Sequence, residues 1–312
     1  MNLSLRHLLG AMLIVLPINA ASATANATIE VLDSPSVRLE VNTSPYSFRV
    51  IERSTGHVFL TQTGGTSFRD IAHIAKNASA ISKAPDSLRL TLHLSETQET
   101  AQLSFTFVKP EILQVRLSFI DKPPTEIREE FLDQGEHYYG IWEYPFGGNI
   151  DNRGADRDFT GFQHMPDVNF ANARAPFYMT SNKYAIYVES VAQGHFSIAQ
   201  AGKTSFSFKE PQLTYDIIYG PDYANLLNRY NLLAGPPVMP PTWAFGSIWW
   251  RDDHHEDLRR VSTAQEKVID DADKLRDLHI PAGSIWLDRP YGTGERGWGI
   301  WILTSRFPTP RR

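Results

Sequence analysis

Between about residues 28 and 220 the apolar residues recur at every second position. Val37, Leu39 and Val41 alternate with polar residues, as do Leu88, Leu90, Leu92 and Leu94. The same holds for Leu113, Val115, Leu117 and Phe119, for Tyr184, Ile186 and Val188, for Phe206 and Phe208, and for Leu213, Tyr215 and Ile217. Successive side chains of a strand point to opposite faces, so each alternating run buries one face only. Many such runs separated by turn residues predict antiparallel sheets stacked as a β-sandwich, with a domain over residues 28–235. No repeat of fixed length is present, which argues against a propeller or solenoid.

The period changes after Gly220. Tyr223, Leu226, Leu227, Tyr230 and Leu233 lie at helical spacing, and Gly235 ends the run. Four prolines at 236, 237, 240 and 241 follow, so residues 236–242 read as a stiff linker that cannot continue a helix. Residues 243–249, WAFGSIW, are apolar without alternation, as in a strand buried on both faces. A helix is expected from Ser262 to Leu278, with Thr263 and Glu266 as a capping box and Val268, Ile269, Ala272, Leu275 and Leu278 as its apolar stripe. Pro281 and Gly283 turn the chain into a second strand, SIWLD. Strand, helix, strand with buried parallel partners is how an α/β domain opens.

Charge and composition exclude some functions. With 30 Lys plus Arg against 35 Asp plus Glu, the net charge of -5 lacks the basic excess of a nucleic-acid binder. The absence of cysteine excludes disulfides, thiolate metal sites, iron–sulfur clusters and a cysteine nucleophile. At the N-terminus, Arg6 and His7 precede an apolar run from Leu8 to Leu16, broken by Pro17 and followed by Ala21-Ser22-Ala23. A basic start, a short apolar centre and a small-x-small end make residues 1–23 a predicted secretory signal peptide. The apolar run is shorter than the ~20 residues a membrane span needs, and no later stretch is longer. The expected location is therefore exported, either periplasmic or secreted.

Several segments resemble one family. Gly220-Pro221-Asp222-Tyr223, then Tyr230, Gly235, Pro237, Pro240, Pro241, Trp243 and Gly246, resemble the junction in glycoside hydrolase family 31 where a galactose-mutarotase-like β-sandwich leads into a (β/α)8 barrel. RAPFYMTSNKYAIYVES at 174–190 resembles that family's late sandwich strands. IWLDRPY at 285–291 resembles its second barrel strand, which ends in an Asp-x-Asp-Tyr pattern. The resemblance runs from about residue 135 to 310. It implies a mainly β chain, with the sandwich followed by the first two βα units of an incomplete (β/α)8 barrel over residues 243–312.

The resemblance also implies a retaining exo-acting α-glycosidase whose two catalytic Asp residues lie on later barrel strands. Only 73 residues run from Pro240 to Arg312, against about 250 for a whole barrel. The expectation is that these residues contain neither the nucleophile nor the acid/base, and that the chain by itself is inactive. Ile300 to Thr304 stands where the family has a Phe-x-Phe-Asp-Pro stretch ahead of Arg306-Phe307-Pro308. A one-base shift of codons for Asn-Met-Asp-Phe-Asp gives Ile-Trp-Ile-Leu-Thr, and a true apolar strand is the other reading.

Working residues of a barrel sit at the C-terminal ends of its strands. That rule selects Trp249, Trp250, Arg251 and Asp252 after the first strand and Asp288 after the second. By resemblance Asp288 takes the place of the first Asp of the Asp-x-Asp-Tyr pattern and hydrogen-bonds sugar hydroxyls. Pro290 stands where the second Asp is usual, which leaves the sugar open. The expected substrate-binding set is Asp288, Trp250, Trp249 and Arg251, and the expected partner is an α-glycoside. Residues 251–257, RDDHHED, supply metal-binding groups at a spacing too tight to converge, so no metal is expected. GTGERG at 292–297 lacks the strand-to-helix context of a phosphate loop, and no cofactor is expected. Tyr138, Tyr139, Trp142 and Tyr144 cluster before FGGNIDNRG, whose Asp151, Asn152 and Arg153 could reach over a barrel mouth.

Two rival functions remain. One is a carbohydrate-binding β-sandwich without catalysis. The other is a sugar epimerase, which needs a His and a carboxylate converging on the ring, with His137, His164 and His195 available. The leader pattern carries its own prediction: cleavage after Ala23 leaves a mature chain beginning at Thr24. N-terminal sequencing of the exported protein checks this, and retention of residues 1–23 contradicts it.

Overall fold

A computed structural model describes residues 27–287 except 69, 96–97, 120–123, 143–149, 160–173 and 252–263. Residues 1–23, the expected signal peptide, lie outside the described residues. The chain divides into two compact units, Met1–Gly235 and Pro236–Arg312.

Among the described residues the first unit has seventeen strands: β1 (Ile29–Asp33), β2 (Val37–Thr43), β3 (Tyr46–Glu52), β4 (Val58–Gln62), β5 (Ser67–Phe68), β6 (Asp70–Lys83), β7 (Ser87–Leu94), β8 (Thr100–Lys109), β9 (Ile112–Ser118), β10 (Ile127–Leu132), β11 (Tyr138–Trp142), β12 (Asp156–Phe159), β13 (Arg174–Thr180), β14 (Tyr184–Val188), β15 (Gly194–Gln200), β16 (Lys203–Phe208) and β17 (Gln212–Tyr219). All pairings among them are antiparallel. One sheet runs β1-β2-β3-β4, with β4 and β5 both meeting β10, and continues β16-β15-β12. The other runs β6-β7-β8-β9-β17-β14-β13-β11. The start of β6 pairs with β5 and its remainder with β7, so this one long strand ties the two sheets together.

The alternation sorts side chains as the period of two requires. Val37, Leu39 and Val41 are buried on β2, and Leu88, Leu90, Leu92 and Leu94 on β7. The buried faces meet in one core rich in aromatic rings. Phe48 meets Phe105 edge-on at 5.2 Å, Phe206 meets Tyr215 at 5.3 Å, and Phe59 stacks on Tyr219 at 5.4 Å. Each pair joins a strand of one sheet to a strand of the other.

A helix, α1 (Tyr223–Ala234), packs on the far face of the second sheet. Asp222 caps it by accepting from the Asn225 amide at 2.8 Å. Gly235 ends it at φ 92°, a conformation in which a side chain is strained. Leu226 is buried against Ile112, Ala185 and Ile218, and Tyr230 stacks on Phe177 at 4.1 Å.

The second unit contains a 3-10 turn (Thr242–Phe245), β18 (Ile248–Arg251), α2 (Ala264–Asp277) and β19 (Ser284–Leu287), with β18 and β19 parallel. The apolar run 243–249 is therefore not one strand. Pro241 precedes the 3-10 turn, and the Gly246 amide closes it onto the Trp243 carbonyl. That carbonyl also packs against Gly283, where a Cβ would lie 2.4 Å from it. Burial on both faces is not found either, since Trp249, Trp250 and Trp286 are 42%, 60% and 60% exposed. On α2 only Leu275 of the expected stripe is buried, while Ile269 is exposed.

Glu129 of β10 lies sealed in the core of the first unit beside Thr66, Tyr215 and Gln62. Burial raises its pKa to about 8, partly opposed by those three neighbours. An unfolded Glu loses its proton near 4.5, so the contribution of this group to stability is greatest below that pH and declines up to about 8. Glu129→Gln should therefore gain stability relative to the parent as pH rises from 5 to 9, by on the order of a few kcal/mol. Urea unfolding at several pH values checks this, and a pH-independent difference contradicts it.

Candidate functional site

Of the sequence-selected residues, Trp249, Trp250 and Arg251, expected at and beyond the end of the first strand, lie within β18 of the parallel pair of the second unit. Its register is Ile248 with Ser284, Trp249 with Ile285, Trp250 with Trp286, and Arg251 with Leu287. Paired residues share a face and successive residues alternate, so Trp250 lies on one face with Trp286, and Trp249 on the other with Ile285. Arg251 and Leu287 are the last paired positions, and both strands end at the same edge. Asp288 follows directly in sequence and lies outside the described residues, as do Asp252 and Pro290. Residues 252–257, the Gly-rich segment 292–297 and Ile300 to Pro308 also lie outside them. Among the described residues no group of three or more His, Asp or Glu is placed to hold a metal ion.

The first unit holds an aromatic cleft. Strand β11 shifts register between Gly140 and Trp142, with Gly140 at φ 122° and Ile141 at φ 68°. A positive φ at a β-branched residue is rare and marks a forced local geometry. Gly140 is required there, because a Cβ would stand 2.6 Å from the Phe177 carbonyl oxygen. The bulge lines a cleft of about 500 Å3 together with Tyr139, Trp142, Ile150, Asn152, Met179 and Tyr223. The rings of Tyr139 and Tyr223 meet edge-on at 5.6 Å.

The loop residues Asp151, Asn152 and Arg153 are occupied within the fold. Asp151 accepts from the Tyr138 amide at 3.0 Å and lies 2.6 Å from His137 Nδ1. Burial disfavours the charged carboxyl, but the bonds from His137, Tyr138 and Arg153 outweigh that and hold its pKa below the usual range. Asn152 donates to the Gly140 carbonyl at 2.8 Å, bracing the bulge. Arg153 grips both carboxylate oxygens of Asp133, each at 2.9 Å, and donates to the Glu136 carbonyl at 2.6 Å. Of the aromatic cluster, Tyr138 is core, Tyr139 and Trp142 line the cleft, and Tyr144 lies outside the described residues.

The histidines do not assemble an epimerase site among the described residues. His137 is engaged by Asp151, and His195 lies between Asp158 at 2.8 Å and Asp156 at 2.9 Å. Neither imidazole lines the aromatic cleft, and His164 lies outside the described residues. No motif marked the cleft in advance. The run of aromatics at 138–142 was its one visible trace, and the bulge that opens it depends on pairing with β13.

No protein-family model matches the chain. Curated relatives do. The chain is 32% identical over 137 residues to alpha-xylosidase XylQ of Lactiplantibacillus pentosus, covering 43% of this chain and 17% of that protein. It is 31% identical over 169 residues to the isomaltosyltransferase of Sporosarcina globispora, covering 52% of this chain and 14% of that protein. It is 22% identical over 213 residues to an alpha-glucosidase of Saccharolobus solfataricus, covering 64% of this chain and 28% of that protein. The chain thus spans well under a third of the length of these relatives. Among solved structures, a GH31 family sulfoquinovosidase from E. rectale superposes with a TM-score of 0.54 at 17% identity, covering 86% of this chain and 38% of that one. Over the part of its length that it shares with these proteins, the chain is related to glycoside hydrolase family 31.

Proposed function

We propose that these residues form the N-terminal portion of an exported, retaining exo-α-glycosidase: a mutarotase-like β-sandwich joined to the opening βα units of a (β/α)8 barrel. The observation that carries the reading is the change of architecture at residue 236. A wholly antiparallel unit gives way to a β–α–β unit with parallel strands. The exposed tryptophans of β18 and β19 support it, since parallel strands are ordinarily covered on both faces by further elements of their domain.

In this reading the strand ends bind sugar. Asp288 accepts hydrogen bonds from ring hydroxyls, as a carboxylate with two acceptor oxygens can. One of Trp249 and Trp250 stacks on the ring, because the two lie on opposite faces of the sheet and only one can face the substrate. Arg251, which holds the last paired position of β18, completes the proposed set. Bond cleavage needs a further pair of carboxyls about 5–5.5 Å apart, one ionised as nucleophile and one protonated as acid. Those groups belong to later barrel strands.

The aromatic cleft favours a second reading, a carbohydrate-binding unit without catalysis. Tyr139, Trp142 and Tyr223 offer ring faces and edges to a sugar, within a volume typical of small-ligand sites.

Two measurements separate these readings. The 312-residue chain should show no turnover of nitrophenyl α-glucoside, α-xyloside or α-galactoside. Turnover abolished by Asp288→Asn would place the catalytic site within these residues and overturn the first reading. Monosaccharide titration followed by Trp fluorescence should give weak binding that Asp288→Ala and Trp250→Ala remove. Binding untouched by both, and lost in Tyr223→Ala, would favour the cleft.

A further inference from the structure

We propose that His195, bonded through both ring nitrogens to Asp156 and Asp158, is a pH-sensitive clasp that fastens the outer strand β12 to β15 and loosens as pH rises. Nδ1 lies 2.8 Å from Asp158 Oδ1, and Nε2 lies 2.9 Å from Asp156 Oδ1. An ionised carboxylate only accepts, so both nitrogens must donate, and only the imidazolium carries two N–H groups. Loss of the proton turns one nitrogen into an acceptor facing a carboxylate oxygen, and that bond becomes a repulsion.

The placement makes this bond matter. Strand β12 has four residues and, among the described residues, pairs only with β15, in the register Asp156 with Ser197, Arg157 with Phe196, Asp158 with His195 and Phe159 with Gly194. The clasp therefore fastens the strand at Asp156 and at Asp158. On the other side His195 pairs with Ser207 of β16, which pairs with Arg128 of β10. Arg128, Glu126, Lys209 and Gln193 line the same depression, of about 600 Å3, as His195 and Asp158. Arg128 and Lys209 oppose a charged imidazole, while Asp156, Asp158 and Glu126 favour it.

Burial pulls the His195 pKa down, but the bonds and charges of Asp158 and Asp156 outweigh it and leave the pKa raised. Asp156 is held below its usual value first by its bond from His195. The sign follows. A His whose folded pKa is raised stabilises fully below its unfolded pKa, and that support is lost as pH climbs through the folded pKa. The clasp is closed in acid and opens as pH climbs through that raised pKa.

The test uses the full chain. Imidazole nitrogen NMR should show both His195 nitrogens protonated, with a midpoint above the unperturbed ~6.5. Amide-exchange protection in β12, corrected for intrinsic rates, should fall about fivefold as pH rises through that midpoint. His195→Gln should show the lower protection at every pH. A His195 midpoint at or below ~6.5, or β12 protection that does not change across the parent's titration, overturns the proposal.

Discussion

The packing of aromatic rings between two antiparallel sheets is the interaction on which the rest of the first unit depends. Phe131 and Phe206 from one sheet close on Tyr215 from the other, and Phe196 meets both Tyr178 and Trp142 edge-on. Each such ring buries a large apolar area, and edge-to-face contacts add ~0.5–1.5 kcal/mol beyond that area. Register is fixed as a consequence, because a slip of one residue would turn every buried ring outward. Once β17 is fixed, its far face offers Ile218, and with Ile112, Phe177 and Ala185 it forms the bed on which α1 lies. The helix that leads out of the unit is thus positioned by the same core.

That core also explains the cleft. Tyr138 is held inside, and β11 must then bulge at Gly140 and Ile141 to bring Tyr139 and Trp142 to the cleft. Asp151, Asn152 and Arg153 hold the bulge from the neighbouring loop by bonding to His137, Gly140 and Asp133. Their polar atoms brace the scaffold, which is a different task from reaching outward to a ligand.

Much of the fold was legible because alternation reports burial directly. Leu88 to Leu94 on β7 and Leu213 to Ile217 on β17 were readable as strands, and Gly235 as a helix end, since each rule is local. The run from Trp243 to Trp249 departs from the expected single strand for a physical reason. An apolar stretch without alternation fits a buried strand and a 3-10 turn equally, and Pro241 with Gly246 decides for the turn. The bulge in β11 and the two-sheet role of β6 were hidden because both arise from pairing across long sequence distances. At the candidate sites the β–α–β pattern gives the two parallel strands, but the first runs on through Trp250 and Arg251 instead of ending at Trp249, and His195 stands out only as one of three available histidines, outside any motif. Its two carboxylates lie 37 and 39 residues away in sequence and meet it only through the β12–β15 register.

The two units differ in what shields their apolar groups. The first encloses its aromatic core, while Trp250 and Trp286 of the second remain 60% exposed on a two-stranded sheet. The direct test is limited proteolysis of the chain followed by mass spectrometry. Sub-global opening is easiest where few apolar contacts are buried, so cutting should begin beyond Pro236 and leave a resistant fragment that ends near Gly235. Resistance of residues 243–287 equal to that of the strands β1 to β17 would contradict the account.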